Sequence, residues 1–116
     1  MSNVRVLLFG FRKMAEYVFS PMVKEMTGVR EIEIAYSMHE LEQVDSRTLV
    51  DIIAINAMSI GFNMSNQLQK IKMYFPEAFI ICISPHRLSV FICWKFIKNG
   101  IDALVAEGPR GVAHAE

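Results

Sequence analysis

Apolar side chains along this chain switch repeatedly between two periods. Val4–Phe9 is a β-branched and apolar run ending at Gly10, and such near-continuous hydrophobicity suits a strand covered on both faces. From Phe11 the apolar positions fall at Phe11, Met14, Ala15, Val18, Met22 and Met26, a helical spacing that leaves Arg12, Lys13, Glu16 and Lys24 on the opposite face. Pro21 lies inside that stretch, so a kink or break is expected near it. Thr27 and Gly28 close this first helix, and residues 31–36 then alternate as a half-exposed strand. Ser37 and Glu40 stand at capping-box spacing and open a second helix, expected to run to about Thr48. Residues 51–55 form a third buried strand, 65–75 a third helix ended by Pro76, and 79–83 a fourth strand ended by Ser84 and Pro85. A fourth helix over 87–98 stops at Asn99 and Gly100, a fifth strand follows over 103–106, and a tail runs from Glu107 to Glu116.

Strand and helix thus alternate through five predicted strands and four helices, which implies βαβ units with right-handed crossovers and a parallel sheet between two helical layers. At 116 residues this is one domain, expected over 1–107, with 108–116 as a C-terminal tail or the start of a linker. The architecture of that size is the doubly wound, flavodoxin-like α/β class, a three-layer sandwich in which function gathers at the C-terminal ends of the strands.

Composition narrows the function classes. Apolar residues make up 53% and charged residues 21%, enough to build a core and too apolar for a disordered tail. Twelve basic and twelve acidic side chains cancel, so no general electrostatic pull draws the domain to nucleic acid or an anionic membrane. No apolar run reaches the roughly 18 residues of a membrane span, and the N-terminus lacks a signal-peptide pattern, so a cytoplasmic protein is expected. Cys82 and Cys93, in a predicted strand and helix without C-x-x-C spacing, read as two buried free thiols.

Three stretches carry a family resemblance: residues 51–56 (DIIAIN), 70–84 (KIKMYFPEAFIICIS) and 98–105 (KNGIDALV). Together they resemble the receiver domain of bacterial response regulators, of the kind fused to helix-turn-helix DNA-binding domains, over residues 4 to 107. The resemblance implies a sheet of order 2-1-3-4-5. It also implies a phosphorelay chemistry in which an aspartate is phosphorylated with the help of Mg²⁺, two more acidic residues, a hydroxyl and a lysine. Carboxylates hold the hard cation there, while lysine and hydroxyl meet the phosphoryl oxygens. Carried over position by position, the acidic pair falls on Gly10 and Phe11, the phosphoacceptor on Asn56, the switch hydroxyl on Ser84 and the lysine on Glu107. Only Ser84 keeps its type. An amide is no nucleophile toward a phosphoryl donor, so the resemblance implies a pseudo-receiver with no catalytic residue, no metal and no cofactor. Ser84, followed by Pro85, then has the simpler role of a helix N-cap or turn residue.

Other chemistry has less support. One glycine after the first strand is too few for a dinucleotide site. His39, His86 and His114 are scattered without partners at ligand spacing. His39 reads as an exposed helix-start residue, and His86 alone stands near a strand end. Arg12 and Lys13 read as a solvated first turn that could meet an anion at the same edge. Met58, Ile60, Phe62 and Met64 lie in the loop after strand three, where two or more left exposed would make an adaptable contact patch.

The fourth helix is too apolar for one buried stripe of roughly 100°. Only nine residues follow Glu107, with Gly108, Pro109 and Gly111 among them, so the helix that ends the family's fold is expected to be short or absent. Phe91, Trp94, Lys95, Lys98 and Leu104, with the edge of strand five, are the expected interface of a homodimer or of docking onto an effector domain or protein partner. Two functions stay open: a two-component signalling module that regulates transcription through such contacts, and a small-ligand sensor at the strand-end crevice near Gly10, Asn56, Ser84 and His86.

Overall fold

The computed structural model describes residues 4–11, 28–44, 49–60, 64–84, 87–108 and 111–115. Six strands form one sheet: β1 (Val4–Phe9), β2 (Val29–Ala35), β3 (Ile52–Asn56), β4 (Phe79–Ser84), β5 (Ala103–Gly108) and β6 (Gly111–Ala115). The helices are α1 (Met38–Gln43), α2 (Ala57–Ile60), α3 (Met64–Tyr74) and α4 (Val90–Lys98). The first five strands are parallel in the order β2-β1-β3-β4-β5, as the resemblance implied, and β6 adds antiparallel to β5. The helix expected over 11–26 lies outside the described residues, apart from Phe11.

Alternation along the central strands divides the core between the two sheet faces. Leu7, Phe9, Ile53, Ile55, Ile80, Cys82 and Leu104 face one side, where Leu41 of α1, Ile60 of α2, Leu68 and Ile71 of α3 and Phe96 of α4 close the main core. Val6, Leu8 and Ala54 face the other side and bury Phe11, with Ile32, Ile34, Ile52 and Ile83 half-buried around it. Both clusters draw on the same short strands, so a one-residue register slip would exchange them.

Two carboxylates fix that register at the N-terminal strand ends. Asp51 accepts the Arg5 N–H at 2.9 Å, and Asp102 accepts the Ile80 N–H at 2.8 Å. The backbone continues the tie, with Asp51 N–H donating to Arg5 O and Phe79 N–H to Asp51 O.

Helix ends follow local capping chemistry. Ser37 caps α1, its Oγ accepting from Glu40 N–H, while the Glu40 carboxylate reaches back to Tyr36 N–H. Both halves of the expected box thus form, one residue earlier on the return side. α1 stops at Gln43 with Val44 extended, short of the expected Thr48. α4 begins at Val90, not at 87, because the Ser89 Oγ accepts from Ile92 N–H and so sets the first turn. Gly100, at φ +98°, ends it in the left-handed conformation that glycine tolerates.

The fifth strand and the segment after it differ from the sequence reading. β5 extends to Gly108, and Gly108 pairs with Gly111, turning the expected tail into a hairpin. The outer edge of β5, expected to face solvent, is therefore paired with β6. Among the described residues no helix follows β5.

Candidate functional site

Parallel register gathers the C-terminal strand ends into one edge. Phe9 stands opposite Ile55, Asn56 opposite Ile83, and Ser84 opposite Ala106, so Gly10, Asn56, Ser84 and the backbone of Glu107 collect there. This is the crevice position of an open α/β sheet.

Asn56 is the centre of a small hydrogen-bonded knot. Its Nδ2 donates to the Gly10 carbonyl at 3.1 Å, and its Oδ1 accepts the Met58 N–H at 3.1 Å. Ser59 Oγ donates to the same Gly10 carbonyl. The side chain thus caps the start of α2 with one end and holds the turn after β1 with the other, the short-range bonding to which asparagine is suited. Gly10 sits at φ +79°, and a Cβ there would collide with the Ser59 side chain, so the knot requires glycine on two counts. Ser59 was not singled out in the sequence, because the segment holding it reads as a loop. The signal was its position three residues after a strand-ending asparagine, a spacing that closes a single turn.

The remaining strand-end residues offer little to a ligand. Phe11 is 5% exposed and belongs to the apolar cluster on the second sheet face. Ser84 is fully buried on the main-core side of β4, and of the two roles expected of it, helix N-cap or turn residue, the N-cap of α4 belongs to Ser89. Glu107 lies in β5, paired with Val112. His86, Arg12 and Lys13 fall outside the described residues. His39 is exposed on α1, as expected.

A divalent cation needs several oxygen ligands in near-octahedral array. Gly10 brings only a carbonyl, already accepting two hydrogen bonds, Phe11 brings none, and the Asn56 oxygen is taken by Met58 N–H. These residues do not fit Mg²⁺. Among the described residues no cluster of three or more His, Cys, Asp or Glu side chains is placed to hold a metal.

The second feature is α4. Only Phe96 is fully buried, while Leu88, Ile92 and Cys93 are half-buried against the main core. Val90, Phe91, Trp94 and Ile97 are exposed, Phe91 at 62% and Trp94 at 53%. Lys95 Nζ lies 5.2 Å from the Phe91 ring centre and Lys98 Nζ 4.7 Å from the Trp94 ring centre, both within cation–π reach of about 6 Å. These are i, i+4 pairs, so one exposed helical face carries two aromatic rings roofed by two ammonium groups. Leu104, expected on the same interface, is 2% exposed in the main core and is withdrawn from it: its β5 side chain points inward under α4.

A cleft of about 470 Å³ opens beside both features, between α2, the start of α3 and α4. Of the four apolar residues expected in the loop after β3, Ile60 is buried, Met64 half-buried and Met58 exposed, while Phe62 is outside the described residues. That loop is in part the one-turn helix α2.

Cys82 is buried and Cys93 half-buried, both free thiols. Desolvation, with a smaller contribution from Cys93, pushes the Cys82 thiol up to about 12.

No family model matches the chain, and no curated protein matches it by sequence. Among solved structures it is similar to the signal receiver domain of a DNA-binding response regulator from Colwellia psychrerythraea 34H. The TM-score is 0.73 at 14% identity, over 94% of this chain and 88% of that one. The fold is that of a receiver domain. RcsB from Salmonella enterica serovar Typhimurium, solved on promoter rprA with the phosphomimetic BeF3−, shares it with a TM-score of 0.75 at 13% identity. That match covers 91% of this chain and 54% of RcsB. The receiver domain of NtrC4 from Aquifex aeolicus gives 0.55 at 18% identity, over 87% of this chain and 79% of the other. On this receiver fold β6 follows β5 directly, and no described helix of the chain is long and apolar enough to cross a membrane.

Proposed function

We propose that this chain is a non-catalytic signal-transduction module, a pseudo-receiver that works without aspartyl phosphorylation and signals through α4, in cytoplasmic regulation of transcription. The observation that carries the reading is the state of Asn56. Both ends of its amide are bonded internally, to Gly10 and to Met58, where a phosphoacceptor carboxylate would have to stand free. A fold kept with that position closed has its use elsewhere on the surface, and the exposed Phe91 and Trp94 supply such a place. Two of the structures similar in fold, the receiver domain of a DNA-binding response regulator and RcsB bound to a promoter, favour an effector domain as the recipient of the signal.

Pairing of two copies through α4 buries the aromatic rings and brings Lys95 and Lys98 toward their symmetry mates. Like charges repel, so such a dimer strengthens when salt screens them, whereas an acidic partner on the same face would bind less tightly in salt. Sedimentation velocity over a concentration series at low and high salt tests this. The expected result is a dimer favoured by salt and lost in Trp94→Asp or Phe91→Asp. A monomer at every concentration, or a dimer indifferent to both substitutions, overturns the self-pairing.

Small-ligand sensing is the second reading. It is favoured by the cleft that adjoins α2, which shares Met58 with the Asn56 knot.

A further inference from the structure

Among the described residues, the cleft between α2, α3 and α4 has mostly apolar walls and a single charge. Met58, Met64, Ile92 and Phe96 supply apolar surface from three helices, Leu88 adds to it from just before α4, and among the described residues Lys95 is the only ionisable one that lines it. Its polar groups are few: beside Lys95 stand Ser65 and Asn99, the latter held by Nδ2 donating to the Lys95 carbonyl at 2.8 Å and approaching Met64 Sδ at 3.9 Å. At about 470 Å³ the volume falls in the range of small-molecule sites, roughly 300–1,000 Å³, where a mostly apolar lining with a few convergent polar groups is the rule. Water against Met58, Ile92 and Phe96 gains no hydrogen bonds from them, so an apolar ligand body displaces it favourably. The two methionines, unbranched and polarisable, can adjust to the shape that enters.

Charge selects the head group. Among the described residues no carboxylate lines the cleft and none lies within ion-pair distance of Lys95, whose ammonium rests on the Phe91 ring. A cationic ligand would meet repulsion there and a neutral one would leave the ammonium unused. We propose that this cleft binds a small anionic amphiphile, a carboxylate with an unbranched or aryl apolar body, with the body against Met58, Ile92 and Phe96 and the carboxylate on Lys95.

The cleft touches both ends of the reading above, on which its role as an input rests. Met58 hangs on the Asn56 knot, and Ile92, Lys95 and Phe96 lie on the helix whose outer face carries Phe91 and Trp94. Binding itself is independent of pairing, so the two can fail separately.

The test is a titration of ¹⁵N-labelled protein with decanoate, followed at the amides of Met58, Ser65, Ile92 and Lys95, with decanol and decyltrimethylammonium as neutral and cationic controls. Saturable shifts confined to those amides are expected with decanoate, about tenfold weaker with decanol and absent with the cation. Lys95→Gln, which keeps the stem, is expected to bring decanoate down to the affinity of decanol. Met58→Glu, on an exposed position that tolerates a polar side chain, is expected to abolish binding. Trp94→Asp is expected to leave it in place, which separates the cleft from the pairing face. No saturable shift with decanoate, equal binding of all three probes, or a decanoate affinity unchanged in Lys95→Gln overturns the proposal. Shifts confined to Phe91 and Trp94 also overturn it, by placing the amphiphile on the outer face of α4.

Discussion

At the scale of single residues the decisive group is Asn56, whose amide donates and accepts in the same knot. Asn56→Asp puts a carboxylate against the Gly10 carbonyl and removes the donor, which leaves two acceptors facing each other. The expected cost is about 1–3 kcal/mol, read as a lower denaturation midpoint with unchanged m-value. The substitution is also expected not to restore phosphate uptake from acetyl phosphate, because Gly10 and Phe11 still provide no carboxylate for a cation. Incorporated phosphate on intact-mass analysis would contradict this. Cys82 gives a pH signature. Its folded value of about 12 lies above the unfolded 9.0, so the neutral thiol's contribution is complete below pH 9 and is lost as pH climbs through 12. Chemical unfolding at pH 8 and pH 11 is expected to show lower stability at the higher pH, by less in Cys82→Ala. In the native state at pH 8, iodoacetamide is expected to label Cys93 well ahead of Cys82, since reactivity follows thiolate fraction and access.

Elements were legible in the sequence wherever periodicity alone decided them. Val4–Phe9, Ile52–Asn56 and Phe79–Ser84 are strands because runs of Ile, Val and Leu bury both faces, and α3 keeps Leu68 and Ile71 on one stripe. Boundaries set by capping were less legible. Residues 87–89 carry helix-compatible side chains, yet Ser89 bonds Ile92 N–H and starts the helix late. Ser89→Ala is accordingly expected to cost about 1 kcal/mol and to lower helical circular dichroism. The segment from Gly108 misled for a different reason. Glycine and proline punctuate both tails and tight turns, and only pairing with β5 tells the two apart. The candidate site divides in the same way. That Gly10, Phe11 and Asn56 bring no carboxylate to the strand ends could be read from the sequence. Leu104 could not be placed by type alone, because a leucine near a strand edge is buried or exposed according to which face its register selects.

At the scale of the whole molecule, the parallel strands bring the Asn56 knot, the cleft and α4 into one connected region. Residue 56 ends β3, α2 follows at once, and α2 forms one wall of the cleft that α4 closes. On the pseudo-receiver proposal, a domain arranged in this way takes no phosphoryl group at its strand ends. The most direct measurement is a titration of ¹⁵N-labelled protein with Mg²⁺ and beryllofluoride, a phosphoryl mimic, following the amides of Asn56, Ser84 and Glu107. The account predicts no saturable shift at millimolar concentrations. Shifts of the three amides together, saturating at one ligand affinity, would contradict it and return the domain to phosphoryl-dependent signalling.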